Sequence, residues 1–237
     1  LLHVLERHPA NVMAVAVSPD DTRILSGDQS GQARLWNADN GELVRELQTA
    51  DTAGGVEQLA FTRDGSKAVG AMGHSDRVHI WDLATGSVVR SIEVPGTAFG
   101  VAVSRGGQWG AVAIGDGSVR LFSTADEDLG REIATLAGPR FESNPGAYCV
   151  AISADDQTLL AGYKNHVVRA WRRQGPDERF VAWRDVVTPV AGHESVGFLP
   201  DGRHAVVAGP SFGVALLDLL AATVVGTAKS RGDGWSL

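Results

Sequence analysis

Cysteine is almost missing from this chain: its 237 residues include one, Cys149. An intrachain disulfide and a cysteine-based metal site are both excluded. No run of about 18 apolar residues occurs, so no segment reads as a membrane-spanning helix. No stretch keeps a 3.6-residue apolar period, and almost no helix is expected. Clustered Lys and Arg are scarce too. The formal net charge is −7, which argues against a nucleic-acid surface. The tightest basic pair, Arg172-Arg173, reads as a solvated strand edge. The seven histidines show no metal-ligand spacing. No Gly-rich stretch precedes a helix, so phosphate cradling finds no support, and no nucleophile-elbow pattern occurs. No signal-peptide pattern is present, and a cytoplasmic location is favoured. The chain opens on Leu1 rather than Met, so the native N-terminus is expected to lie upstream.

What is present is repetition. Five short turns recur: Ser18-Pro19-Asp20-Asp21, Thr62-Arg63-Asp64-Gly65, Ser104-Arg105-Gly106-Gly107, Ser153-Ala154-Asp155-Asp156 and Leu199-Pro200-Asp201-Gly202. Each is followed by a large apolar residue. The separations from Ser18 to Trp36, Thr62 to Trp81, Ser104 to Phe122, Ser153 to Trp171 and Leu199 to Leu217 are 18, 19, 18, 18 and 18 residues. An internal period of about 40–50 residues signals a repeat architecture.

Each repeat reads as four short strands bounded by Gly, Asp and Pro. In the first, Val12 to Val17, Arg23 to Ser26, Gln32 to Asn37 and Glu42 to Gln48 are the strands. Cys149 falls in a first strand, Tyr148 to Ile152, as a small buried hydrophobe. Pro presets φ, Asp accepts local backbone hydrogen bonds and Gly takes a left-handed conformation without a Cβ clash. That chemistry explains Asp20-Asp21 and Asp155-Asp156 as turn residues rather than catalytic carboxylates. A four-stranded unit this small cannot bury its faces alone; radial stacking buries both, which is the logic of a propeller.

Val78-His79-Ile80-Trp81-Asp82-Leu83-Ala84-Thr85-Gly86 resembles the third-strand signature of the WD-repeat β-propellers, and Gln32 to Asn37 and Ser118 to Ser123 are weaker copies. Gly192-His193 resembles the family's Gly-His pair before a first strand, with His8 as a second instance. The last repeat also resembles the bacterial lactonase and surface-protein type of propeller repeat. The resemblance implies an all-β fold: a β-propeller of four-stranded antiparallel blades. Five complete blades are expected in a single domain over residues 1–237. It also implies a buried tetrad in each blade: a His before it, Ser or Thr on the second strand, Asp in the next turn and Trp on the third. Here the tetrads look eroded. The first repeat has His8, Ser26 and Trp36, but Ser30 stands where Asp is expected. The third has Asp116 with Phe122, the fourth Asn165 with Trp171, and the second and fifth lack most of the set. Trp109 aligns with Arg23, an outward position, and is expected to be exposed; Trp183 is expected to cap a fourth strand.

Leu1 to Glu6 reads as a further fourth strand and Gly234 to Leu237 as the start of another first strand. The expectation is a domain incomplete at both ends, cut from a ring of six to eight blades, with association through open propeller edges. The resemblance implies docking on the face carrying the loops between fourth and first and between second and third strands. The residues there are Met13, Gln29, Glu57, His74, Phe99, Tyr148, Lys164 and Glu194, and Phe141 in the long loop Ala137 to Gly146 opens on the same face. Aromatics are enriched at interface cores. The favoured reading is a non-catalytic scaffold that binds a protein or peptide, as a sensor or docking part of a larger protein, with no cofactor or metal and no nucleic acid. The alternative is a propeller enzyme of lactonase or dehydrogenase type with a central metal or cofactor.

Overall fold

A computed structural model of the chain describes residues 3–48, 54–140, 146–174, 179–190, 192–210 and 213–228. They form five four-stranded antiparallel sheets. The chain divides into two compact units, Leu1–Ala147 and Tyr148–Leu237.

The first unit holds three sheets. Sheet 1 consists of β1 (Val12–Val17), β2 (Arg23–Asp28), β3 (Ala33–Asn37) and β4 (Leu43–Leu47). Sheet 2 has β5 (Val56–Phe61), β6 (Lys67–Met72), β7 (Arg77–Asp82) and β8 (Val88–Glu93). Sheet 3 has β9 (Ala98–Val103), β10 (Trp109–Ile114), β11 (Val119–Ser123) and β12 (Glu132–Leu136). The one helical element among the described residues is a single 3-10 turn, Asp126–Asp128. The second unit holds sheet 4, with β13 (Ala147–Ile152), β14 (Thr158–Tyr163), β15 (Val167–Gln174) and β16 (Arg179–Val187), and sheet 5, with β17 (Ser195–Phe198), β18 (His204–Gly209), β19 (Gly213–Asp218) and β20 (Thr223–Ala228). In every sheet the strands pair in chain order, neighbour to neighbour.

The five recurring turns join the first and second strands, and four of them share one hydrogen-bond pattern. The fourth residue donates its N–H to the carbonyl of the first in all five: Asp21 to Ser18, Gly65 to Thr62, Gly107 to Ser104, Asp156 to Ser153 and Gly202 to Leu199, at 2.9–3.0 Å. The Ser18, Thr62, Ser104 and Ser153 hydroxyls accept the N–H of the residue five positions on: Arg23, Lys67, Trp109 and Thr158. Where the third residue is Asp after Ser or Thr, the hydroxyl donates to its carboxylate: 2.6 Å from Ser18 to Asp20, 2.7 Å from Thr62 to Asp64 and 2.6 Å from Ser153 to Asp155. Hydrogen bonds from Ser18 and Thr22 hold the Asp20 carboxyl down at about 2. Partial burial opposes the shift at Asp64, but bonds from Ser66 and Thr62 outweigh it and its carboxyl also sits at about 2. The fourth residue is left-handed throughout, with φ of 59° at Asp21, 66° at Gly65, 74° at Gly107, 58° at Asp156 and 66° at Gly202.

Within each unit, packing runs face to face between sequential sheets. Ala14, Leu25, Ala33, Leu35 and Leu47 of sheet 1 meet Val56, Leu59, Phe61, Ala68, Met72 and Trp81 of sheet 2. Val69, Ala71, Val78 and Ile80 of sheet 2 then meet Ala98, Val101, Val112, Ile114 and Phe122 of sheet 3. Within the second unit, Leu160, Val168, Ala170 and Val186 meet Ala205, Val207, Ala215 and Leu217. Thus one face of a sheet carries small and aliphatic side chains, and the facing side of the next carries the ring or large apolar residue. The five large partners Trp36, Trp81, Phe122, Trp171 and Leu217 are all buried. Each fully buried Leu or Val contributes about 1.5–3 kcal/mol. The approach is close: a Cβ on Gly27 would lie 2.5 Å from Val56 Cγ1.

Each sheet also carries a bulge between its third and fourth strands. The register skips Val44, Val89, Ile133, Trp183 and Val225. Four of these five are exposed aliphatic residues. Trp183 is half-buried, packs against the core between sheets 4 and 5, and has the Arg172 and Arg184 guanidinium groups 5.1 and 5.2 Å from its ring centre.

Two expectations are corrected. Residues 3–8 form no strand; Leu1 and Leu2 lie outside the described residues. Trp109 is buried, 6% exposed: β10 is buried along its whole length, unlike β2, whose residue Arg23 is half-exposed. Gly234 to Leu237 lie outside the described residues.

The left-handed turn positions give a paired prediction. Gly65→Val forces a β-branched side chain to φ 66° and lowers stability by about 1–2 kcal/mol in thermal or denaturant unfolding. Asp21→Gly removes a left-handed side chain at the same turn position and stays within about 0.5 kcal/mol of the parent.

Candidate functional site

At one end of each sheet the chain enters the first strand beside the turn between the second and third. In sheets 1–3 these segments are tied by the same bond: Gln29 N–H donates to Asn11, Gly73 to Gly55 and Gly115 to Thr97, at 2.8–2.9 Å. The first strand then bulges. The register skips Met13 in β1, Glu57 in β5 and Phe99 in β9. A bulge inserts an extra residue into one strand and re-aims its side chain. Met13 is exposed, while Glu57 and Phe99 are half-buried.

These positions form one continuous strip across the first unit. Gln29 lies against Gly55, 3.0 Å from where a Cβ on that glycine would stand. The Glu57 side chain folds over Gly73, next to His74; a Cβ there would meet Glu57 Cγ at 2.3 Å. His74 is exposed, in the left-handed region at φ 59°. The following Ser75 carbonyl accepts the Ala98 N–H at 3.1 Å, which leads into Phe99. Phe99 lies over Gly115. The Gln58 side chain accepts the Val101 N–H at 2.9 Å and fixes β5 to β9 beneath the strip. The carboxylates of Glu57, Asp76 and Asp116 stand at this end; Arg77 answers Asp76 at 3.8 Å and Glu93 at 3.5 Å. The structure thus brings together Met13, Gln29, Glu57, His74 and Phe99.

In the second unit, the other three described candidates gather around a buried histidine. The Gly192 N–H donates to the Lys164 carbonyl at 3.2 Å. Glu194 follows His193, whose carbonyl accepts the Cys149 thiol at 3.6 Å, and Tyr148 precedes that cysteine. Lys164 and Glu194 are exposed and Tyr148 is half-buried. Phe141 lies outside the described residues. Cys149 is buried as expected, and burial pushes its thiol up to about 12, so it stays protonated and inert.

His193 is fully buried, with Nε2 2.7 Å from Thr188 Oγ1 and Nδ1 3.1 Å from the Val167 carbonyl. Burial drives its pKa down to about 4, against the pull of the Val167 and Val190 carbonyls. The folded ring is neutral, whereas the unfolded ring takes a proton near 6.5.

Sheet 1 holds a complete relay where the sequence suggested a broken one. The Trp36 indole donates to Ser26 Oγ at 2.7 Å, Ser26 Oγ lies 2.6 Å from His8 Nε2, and His8 Nδ1 lies 2.6 Å from Asp28 Oδ2. Since a carboxylate only accepts, Nδ1–H donates to Asp28. Asp28, fully buried, also accepts from the Ser30 N–H, the Ser30 hydroxyl and the Gln32 N–H. The acid therefore stands two residues before its expected place, and Ser30 has become its donor. The signal was visible: Asp28 lies two residues after Ser26, on the same face of the strand. Sheet 2 dispenses with the relay. Its Gly70 lets the Trp81 ring come within 2.7 Å of where a Cβ would be, and the indole donates to the Gln48 carbonyl at 2.6 Å.

A cavity of about 430 Å³ opens at the first-turn end of sheets 2 and 3, lined by Arg63, Asp64, Lys67, Gln108, Thr124 and Asp126 among others. Lys67 and Asp126 pair across it at 2.7 Å, so its charges compensate each other. Among the described residues no group of three or more His, Cys, Asp or Glu could hold a metal ion, and no helix is long and apolar enough to cross a membrane.

Two predictions follow from the buried histidines. Ser26→Ala strands the Trp36 indole and His8 Nε2, lowering stability by about 1–3 kcal/mol; Asp28→Ser also destabilises, and adding Ser30→Asp recovers part of the loss in thermal unfolding. For His193, the folded pKa is depressed, so the unfolded state binds more protons as pH falls from about 6.5 to about 4. Stability drops through that window by up to about 3 kcal/mol, and His193→Gln flattens the slope measured by denaturant unfolding across pH.

Comparison with known proteins now bears on this geometry. The model of the WD domain, G-beta repeat family matches residues 1–37. Apoptotic protease-activating factor 1 of Homo sapiens is 37% identical over 79 residues, 31% of this chain and 6% of that protein. Small ribosomal subunit protein RACK1 of Caenorhabditis elegans is 27% identical over 169 residues, 70% of this chain and 38% of that protein. The chain therefore spans well under half the length of either relative. The structure of U3-55K superposes with a TM-score of 0.80 at 17% identity, over 96% of this chain and 67% of that one, which shows the fold. Propellers of this kind are in general non-enzymatic scaffolds, and they bind proteins. The family model, the relatives and the structural neighbour agree: the chain is similar to WD-repeat proteins and has the fold of their β-propeller blades.

Proposed function

We propose that the chain is a non-catalytic docking module that holds a protein or peptide segment across the strip formed by Met13, Gln29, Glu57, His74 and Phe99. The carrying observation is that the same bulge, in three successive blades, turns one side chain out of the ladder toward one end. The three side chains differ in kind while the backbone beneath them repeats. A thioether, a carboxylate and an aromatic ring on one rigid base suit a partner with an apolar anchor beside a cation or hydrogen-bond donor. Tyr148, Lys164 and Glu194 offer a comparable set on the second unit, and Phe141 belongs to the same proposal. As an interaction part of a larger protein, the module carries no reaction of its own, and its partners are proteins rather than nucleic acid.

The test is a random-peptide display selection on the purified chain. Enriched peptides are expected to lose at least about tenfold in affinity with Phe99→Ala or Glu57→Ala, a change of about 1.4 kcal/mol, and to ignore Val89→Ala on the outer strand. Peptides indifferent to both strip variants would overturn the site. Stoichiometric divalent metal in the purified protein, with hydrolase activity, would favour the lactonase-type enzyme instead.

A further inference from the structure

Sheet 4 has a feature that the packing of its core does not require. Its third and fourth strands, β15 and β16, run for 8 and 9 residues, whereas those of the other sheets run for 5 or 6. Past the bulge the ladder ends after one rung in sheets 1 to 3 and after two in sheet 5. In sheet 4 it continues for four, from Trp171 opposite Ala182 to Gln174 opposite Arg179. The hairpin therefore carries three rungs beyond the buried ring of Trp171, at the first-turn end of the sheet.

Those rungs and the bulge gather a distinct set of side chains. Arg172 pairs with Val181, and Ala170 with Arg184. Residues paired across a ladder, or two apart along a strand, share a face. Arg172, Val181 and Arg184 thus stand on the face whose deeper part, Val168, Ala170 and Val186, packs on sheet 5. Trp183 lies at the bulge, with the Arg172 guanidinium 5.1 Å and the Arg184 guanidinium 5.2 Å from its ring centre. Both arginines are exposed, and Val181 is 38% exposed.

Their charges are answered differently from those of neighbouring arginines. Arg34, Arg77, Arg120 and Arg169, on the third strands of sheets 1 to 4, each meet a carboxylate of the fourth strand. Glu46 stands at 3.1 Å, Glu93 at 3.5 Å, Glu132 at 3.2 Å and Asp185 at 2.6 Å. Among the described residues no carboxylate pairs with Arg172 or Arg184; each stacks on Trp183 instead, and Arg184 donates to the Trp183 carbonyl at 3.0 Å. Asp155 of the first turn is within electrostatic reach of Arg172, but its carboxylate is occupied by the Ser153 hydroxyl and the Gln157 N–H. Asp177 and Glu178 lie outside the described residues. A guanidinium held against a ring keeps N–H donors at its edge, in a fork that matches a carboxylate.

We propose that this hairpin face binds an extended acidic segment of a partner protein. Arg172 and Arg184 each take a carboxylate, and Trp183 and Val181 pack on the stems between them. Each guanidinium stands about 5 Å from one ring centre, so the two are at most about 10 Å apart. Carboxylates on side chains two residues apart in a strand stand about 7 Å apart, within that span. Arg and Trp are the side chains that most often dominate an interface. A nucleic-acid backbone fits less well, because the exposed Asp155 and Asp185 border the pair. A short peptide passes between them, and a continuous row of phosphates does not. The surface lies at the opposite end of sheet 4 from Tyr148, Lys164 and Glu194, so it stands or falls apart from the docking strip.

Fluorescence anisotropy with a labelled twelve-residue peptide of alternating Glu and Ser tests this on the purified chain. Saturable binding is expected in the range of ~10–100 µM, weakening as salt rises. Arg172→Ala and Arg184→Ala are each expected to weaken it at least about tenfold, with far-UV circular dichroism showing both folded. Arg172→Lys keeps the charge but loses the fork, and falls between parent and Arg172→Ala. Lys164→Ala, which removes an exposed cation at the other end of the same sheet, leaves the affinity unchanged. Absence of saturable binding overturns the proposal. So does an equal loss with Lys164→Ala, or affinity that neither arginine variant changes. Tighter binding of a single-stranded thymidylate 12-mer than of the peptide overturns it in favour of nucleic acid.

Discussion

A four-stranded antiparallel sheet of five- and six-residue strands has two apolar faces and no means of covering either by itself. Everything in this chain follows from that constraint. One face is made small, by Ala14, Gly27, Ala33 and their counterparts, so that the next sheet can come close. The other carries a ring or large aliphatic residue, Trp36, Trp81, Phe122, Trp171 or Leu217, which fills the space so created. The near-constant interval between turn and ring is the linear trace of this geometry: the second and third strands must present the ring at a fixed height, whereas the connections between sheets are free to vary in length.

Given such packing, polar relays become optional. Sheet 1 closes its relay through Asp28, sheet 2 replaces it with a ring laid on Gly70, and in sheet 5 Leu217 fills the place with no polar atom at all. A buried hydrogen bond contributes about 0.5–1.5 kcal/mol net, less than the burial of one large side chain. The relay in sheet 1 serves a different end. It fixes the segment carrying His8 over Trp36, on the side where no sheet of the first unit packs.

Much of this was legible in the sequence, because turn chemistry is local. Pro, Asp and Gly at fixed offsets named every first turn, and β1 runs from Val12 to Val17 as read. What escaped depended on partners distant in the chain. The acid of the first relay was sought at position 30, but side chains two residues apart in a strand share a face, so Asp28 reaches the same histidine. Trp109 was aligned with an outward arginine, yet burial is decided by what lies across the sheet. Leu1 to Glu6 has the composition of a fourth strand, but composition does not make a ladder, and His3 to Glu6 form no strand. The proposed docking strip was half legible: its residues fall at the loops read from the sequence, but the bulges that turn Met13, Glu57 and Phe99 out of the ladder leave no mark in composition, since a bulge is a mismatch between two strands.

The break between the third and fourth strands of every sheet has a bearing on growth. An outermost strand whose ladder is interrupted after one or two rungs, with Val44, Val89, Ile133 or Val225 thrust outward at the interruption, is a poor template for an incoming strand. Fibrils of the cross-β kind extend by strand addition and need a flat, continuous edge. Four of the five rims deny them one. An edge broken in this way also resists strand addition by a neighbouring chain, so the bulge protects the rim of a sheet that its strand content alone would leave exposed to such pairing.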